Sequence, residues 1–229
     1  RGDRCRDRVD PEKRRPTEVD SGGESRVMTS SSTKVRQGSA VEIPRLLLRA
    51  MLRGLGIFRI RGLDQIDAAV ISPGGVGSTL LIDQLGPHLR ANPRDDAEHL
   101  HHRPRLPRRF PHRLKIIFIH GDVEDVVNSI RRRGWTARHG SKLASIEAVI
   151  ASDPAQTEAL RRAVERQIDW FKRCDHPRLL LIRYEDLWDR LDEISAFLGI
   201  DAEAFRAEFP PRHGRTGDTA LAATAESRG

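Results

Sequence analysis

Aromatic side chains are scarce in this chain, with seven Phe, three Trp and one Tyr among 229 residues. Binders of single-stranded nucleic acid stack bases on aromatic platforms, so this scarcity weighs against a dedicated nucleic-acid role. Cysteine is scarcer still. Cys5 and Cys174 are the only two, Cys5 lies in a polar, charged stretch, and a structural disulfide between them is not expected. Cys/His spacing of the structural-zinc kind is also missing, and no metal site is expected. Long apolar runs are absent as well. Nothing approaches the ~20 residues of a membrane span, and the most apolar piece, 43–60, is interrupted by Arg45, Arg49, Arg53 and Arg59. That piece reads as an amphipathic helix and its exit. With no secretory pattern, a reducing cytoplasm is the default expectation, and organellar targeting by the N-terminal stretch stays open.

Basic charge, by contrast, is plentiful. Forty Lys and Arg against 33 Asp and Glu give a formal net charge of +7, which favours acidic partners without choosing among them. The length suffices for one α/β domain with its own core. Residues 1–40 are charged and rich in Ser, Gly and Pro with no hydrophobic period, and are expected to form a disordered tail. Two readings of that tail stand. Either the biological start is Met28, or the stretch is an Arg/Ser-rich transit peptide, against which Asp3, Asp7, Asp10, Glu12 and Glu18 count.

The domain is expected over 41–229. Ala68–Ile71 is a short apolar run entering a Gly-rich turn, Ser78–Leu85 a helix stopped by Gly86-Pro87, and 114–119 the clearest buried strand. A helix follows over 123–133, a long amphipathic one over 157–174, a strand over 179–184 and a helix over 187–198, while 92–112 reads as loop. Continuous apolar strands alternating with helices predict a three-layer α/β/α domain around a mostly parallel sheet, P-loop-NTPase-like in its first turn.

That turn, Ser72-Pro73-Gly74-Gly75-Val76-Gly77-Ser78-Thr79, carries the chemistry. Glycines let backbone N–H groups approach a phosphate or sulfate, hydroxyls add donors, and the helix behind adds partial positive charge. A nucleotide-kinase loop would place Lys before the Ser/Thr pair, and here Gly77 stands there. Asp122, after the strand, could imitate the acid of such an enzyme, so an atypical nucleotide kinase stays as the remoter reading.

Four blocks resemble the sulfotransferases that use 3′-phosphoadenosine 5′-phosphosulfate (PAPS). Gly77-Ser78-Thr79-Leu80-Leu81 is similar to the second half of their loop for the 5′ end of the donor, with Gly75 where that family carries a cation. Asp125 and Ser129, following the strand 116–119, fall in register with a second signature, in which the Ser binds the 3′-phosphate; Gly121 stands where its Arg would be. Arg183-Tyr184-Glu185-Asp186-Leu187 and Phe197-Leu198-Gly199-Ile200 resemble an architectural segment. Arg212-His213-Gly214, continuing to Asp218, resembles the loop that closes over the 3′-phosphate. His120 or the run Arg131-Arg132-Arg133 could substitute for the missing Arg; alternatively the run is a solvated helix end that complements the dipole.

The resemblance implies sulfuryl transfer from PAPS to a hydroxyl or amine of a small-molecule or carbohydrate acceptor. The donor would be held by Gly74, Gly75, Val76, Gly77, Ser78, Thr79, Asp125, Ser129, Arg212, His213 and Gly214. A general base is required; among His88, Glu98, His99, His101 and His102, the cluster His99, His101 and His102 is preferred. The different-class alternative is a diverged, non-catalytic nucleotide- or sulfate-binding protein of the same fold.

Overall fold

The computed structural model describes residues 42–55, 62–94, 100–106 and 110–212. The stretch 1–40 lies outside them, as do Glu98, His99, His213 and Gly214.

Three described strands form the sheet. β1 (Ala68–Ile71), β2 (Lys115–His120) and β3 (Leu179–Arg183) are all parallel and pair in that order, with Ile71 opposite Phe118 and Phe118 opposite Leu181. β1 is apolar at every position and fully buried, as are Ile116 to Ile119, which is why these runs do not alternate. The outer edge of β1 is covered. Ala91 bridges Ala68 in parallel, the Asn92 amide accepts from the Val70 N–H at 2.7 Å and donates to its carbonyl at 3.3 Å, and the Ser72 N–H donates to the His101 carbonyl at 2.8 Å. The chain therefore leaves β1 toward one neighbour and returns on the other side as β2. Such a reversal opens a crevice at the carboxyl ends of the two strands, where open α/β sheets bind ligands.

Helices flank the sheet in two groups. α2 (Ser78–Leu85) packs with α8 (Ala202–Glu208), which packs on α7 (Leu191–Leu198). The second group joins α3 (Val123–Arg132), α4 (Thr136–Lys142), α5 (Glu147–Ile150) and the long α6 (Ala155–Arg173), with α1 (Glu42–Gly54) laid against α4 and α5. α6 buries Leu160, Val164, Ile168 and Phe171 at helical spacing. Phe171 stacks on Phe118 of the central strand, centroids 3.9 Å apart.

This is an α/β domain with a small parallel sheet between helices. Its β1 and α2 have the expected bounds. The helix expected over 187–198 instead begins with a 3₁₀ turn, Trp188–Arg190, and becomes α-helical at Leu191. Three short helices, α4, α5 and α8, fall where the sequence shows no clear apolar period. Cys174, which follows α6, is buried, and Cys5 lies outside the described residues. Among the described residues no helix is long and apolar enough to cross a membrane.

Candidate functional site

The turn between β1 and α2 needs its glycines for two reasons at once. Gly74, Gly75 and Gly77 all have positive φ, at 113°, 69° and 67°, a region that L side chains avoid. Each is also pressed by a neighbour from a different element. A Cβ at Gly74 would lie 2.8 Å from His139 Nε2 of α4, one at Gly75 2.8 Å from Ser129 Oγ of α3, and one at Gly77 2.5 Å from Tyr184 Cε2, just past β3. The turn is thus folded backbone-first against three side chains at the carboxyl end of β1.

Behind the turn α2 begins. Its N-cap is Gly77, and among the described residues no side chain caps it. The first-turn N–H groups of a helix have no intrahelical acceptor and carry the positive end of the dipole. The next helix shows the alternative. Asp122 caps α3, its carboxylate accepting from the Glu124 N–H at 2.9 Å and the Asp125 N–H at 3.2 Å. Asp122 thus has a structural part as the cap of α3.

A buried polar layer supports the turn from below. The Ser72 hydroxyl donates to Ser78 Oγ at 2.9 Å, and Ser78 Oγ is hydrogen-bonded in turn to His101 Nε2, 2.7 Å away. His102 Nδ1 lies 3.0 Å from the Ser72 carbonyl; a carbonyl only accepts, so Nδ1 carries the proton. His101 and His102 stack at 4.2 Å, and His139 lies 4.8 Å from His102. All three imidazoles are buried, at 3%, 8% and 3% exposure. Burial, followed by the charge of Lys142, pushes His139 down to about 3; burial, followed by the neighbouring histidines, holds His102 well below its ordinary value. Gln167 of α6 ties this segment down by donating to the Arg103 carbonyl at 2.7 Å.

The residues singled out from sequence thus divide by direction. Ser78, 4% exposed, faces inward with His101 and His102, while Thr79 and Gly75 are exposed and Val76 is buried. Ser129 stands directly beside Gly75. Asp125 is exposed in the first turn of α3, one turn before Ser129 and on the same helix face. Arg212, exposed, approaches from the C-terminal side with its guanidinium 5.8 Å from the Trp188 ring. Trp188 meets Tyr184 edge-on at 5.5 Å, and the Arg212 charge partly offsets the upward push of burial on the Tyr184 hydroxyl. His120, at the end of β2, is held below its ordinary value by burial and by Lys172.

Sequence reasoning missed His139 and gave Tyr184 only an architectural part. The spacing of Trp135 and His139, which stack at 5.8 Å, was the available signal for the first. The position of Tyr184 immediately after a buried strand was the signal for the second. Chemically, this assembly offers open backbone donors, a hydroxyl from each of two helices and arginines at its rim, all suited to a tetrahedral oxyanion. Among the described residues no three His, Cys, Asp or Glu side chains are grouped to hold a metal ion. Compared with known protein families, curated proteins and solved structures, the chain matches none.

Proposed function

We propose that the chain is a P-loop-like PAPS-binding protein and a sulfotransferase acting on a hydroxyl or amine acceptor. The observation that carries this reading is Ser129 Oγ at the flank of Gly75. Two blocks distant in sequence, each resembling a different part of a PAPS site, lie together beside an open helix N-terminus. The residues present fit such a donor at its anionic end, because the start of α2 is capped by no described side chain and the Ser129 hydroxyl and Arg133 guanidinium lie beside Gly75. In the proposal Gly74 to Thr79 hold the 5′ end, Ser129 the 3′-phosphate, and Arg212, His213 and Gly214 close over it. The donor supplies an activated sulfuryl group, and the acceptor proton must pass to a base. His99 keeps that role in the proposal. For His101 a proton-accepting role runs through Ser78, whose hydroxyl it already bonds.

The burial of His101 and His102 favours the second reading, a binding protein of the same fold without turnover. Calorimetric titration with 3′-phosphoadenosine 5′-phosphate, followed by sulfuryl-transfer assays over an acceptor panel, tests both. Micromolar binding weakened by Ser129→Ala and Arg212→Ala supports the site; binding without transfer selects the second reading; absence of nucleotide binding overturns both. Binding that requires ATP and magnesium would favour the kinase.

A further inference from the structure

The loop 72–79 contains neither Lys nor Arg. Its geometry explains why a cation cannot come from Gly75: φ is 69°, and any side chain would meet Ser129 Oγ at 2.8 Å and Ser129 Cβ at 3.0 Å. Yet a doubly charged oxyanion held only by backbone N–H groups keeps most of its charge uncompensated, and a guanidinium is the side chain best matched to it.

The fold brings one from another element. Arg133 is the C-cap of α3, four residues after Ser129 and therefore on the same helix face. Its Nη2 lies 3.8 Å from the position a Gly75 Cβ would take, and donates to Ser129 Oγ at 2.7 Å. The guanidinium carbon sits 5.2 Å from the Trp135 ring. Gly134, at φ 67°, makes the turn between the two. Ser129 and Trp135 thus orient an exposed arginine at the lip of the loop. One of its five N–H donors is engaged by Ser129, and the fork retains donors for oxyanion oxygens. The other arginines of the run are placed differently: Arg131 faces Asp153 at 3.5 Å, and Arg132 is exposed.

We propose that Arg133 is the cation of this loop, supplied by α3 in place of a loop side chain, and that it binds the phosphate or sulfate group that the backbone of Gly74 to Thr79 cradles. This rests on the anion-site reading above and adds the residue that neutralises the ligand.

The test uses the full chain with two probes at several salt concentrations: 3′-phosphoadenosine 5′-phosphate by calorimetry and inorganic phosphate by thermal shift. Arg133→Gln is expected to weaken binding of each probe about tenfold or more and to flatten its salt dependence. Arg133→Lys should recover part of both, and Arg132→Gln should bind as the unaltered chain does. Unchanged affinity in Arg133→Gln overturns the proposal, and so does weaker binding with an unchanged salt dependence, which marks a merely structural residue. Should Arg133→Gln fail to fold, Arg133→Lys decides by the same two readouts, against Arg132→Gln. If the unaltered chain binds phosphate but not the nucleotide, and Arg133→Gln loses the phosphate, the cation stands and the PAPS reading falls. If it binds neither probe, both fall.

Discussion

Two helices start at the carboxyl ends of adjacent parallel strands, and they start in opposite ways. α3 follows β2 through Gly121 and Asp122, and its first-turn donors are taken by the Asp122 carboxylate. α2 follows β1 through a glycine turn, and among the described residues no side chain caps it. A carboxylate at an N-cap contributes about 1 kcal/mol, and helix starts commonly use one. Gly77 in that position at α2 costs only about a few tenths of a kcal/mol relative to a side-chain cap, and Gly75 and Gly77 are held tightly against Ser129 and Tyr184. The difference separates a helix start closed by a carboxylate of its own chain from one that no described side chain closes.

The contrast breaks most sharply at Gly77. Gly77→Ala places a methyl in a left-handed residue, 2.5 Å from Tyr184 Cε2, whose ring is backed by Trp188. The left-handed backbone and the overpacking together predict a loss of about 2–5 kcal/mol in urea unfolding, with phosphate binding abolished. An Ala that leaves both unchanged would show that the turn is loosely held.

The buried layer beneath the turn makes the second prediction, a dependence on pH. His139 and His102 are neutral in the fold and protonate near 6.5 when unfolded. Lys142, Arg133 and Arg138 are the positive charges acting on His139, and Lys142 together with the neighbouring imidazoles of His101 and His139 disfavours a proton on His102. With folded values depressed, the stability these histidines contribute is fully present above pH ~6.5. It is lost as pH falls toward about 3, the folded value of His139. The slope is about 1.4 kcal/mol per pH unit for each imidazole. Urea midpoints measured from pH 7.5 down to 5 check this, and His139→Gln should lower the slope by one imidazole's share. A flat profile in the unaltered protein would mean that the layer accepts charge.

Third is the closed helix. Asp122→Ala removes the cap from α3 and should cost about 1 kcal/mol in thermal or urea unfolding. Phosphate affinity should stay within about twofold. The comparison fails if removing this carboxylate changes ligand binding as much as it changes stability.

How far this contrast was legible in the sequence depends on the kind of contact. Four consecutive apolar residues followed by Ser-Pro-Gly-Gly identified β1 and the turn, because continuous burial and positive φ each leave a local mark. α4 left none. Its buried positions are His139, Gly140, Ser141 and Lys142, a set chosen by neighbours rather than by period: Gly140 is small because Ala148 lies against it, and His139 is there to meet Gly74. The same limit applies to Arg133. In the sequence it is one of three arginines at a helix end, indistinguishable from Arg131 and Arg132. Only the register of α3 against the loop separates it from them. His101 and His102 stood out as polar residues in a loop, and their burial under Ser72 and Ser78 follows from the edge pairing of β1, which leaves no local pattern.

The smallest predicted effect isolates the open helix from everything supporting it. Ser78 and Thr79 are adjacent hydroxyls at the start of α2, one buried against His101 and the other exposed. Thr79→Val keeps shape and β-branching while removing only the outward donor, so stability should change by no more than about 0.5 kcal/mol. If the open end of α2 binds an anion, the loss of one neutral hydrogen bond should weaken phosphate binding about threefold to tenfold. A fall in affinity at constant stability in Thr79→Val, set against a fall in stability at constant affinity in Asp122→Ala, assigns the two helix starts their separate roles. Equal, negligible effects on binding from both variants would place the anion elsewhere.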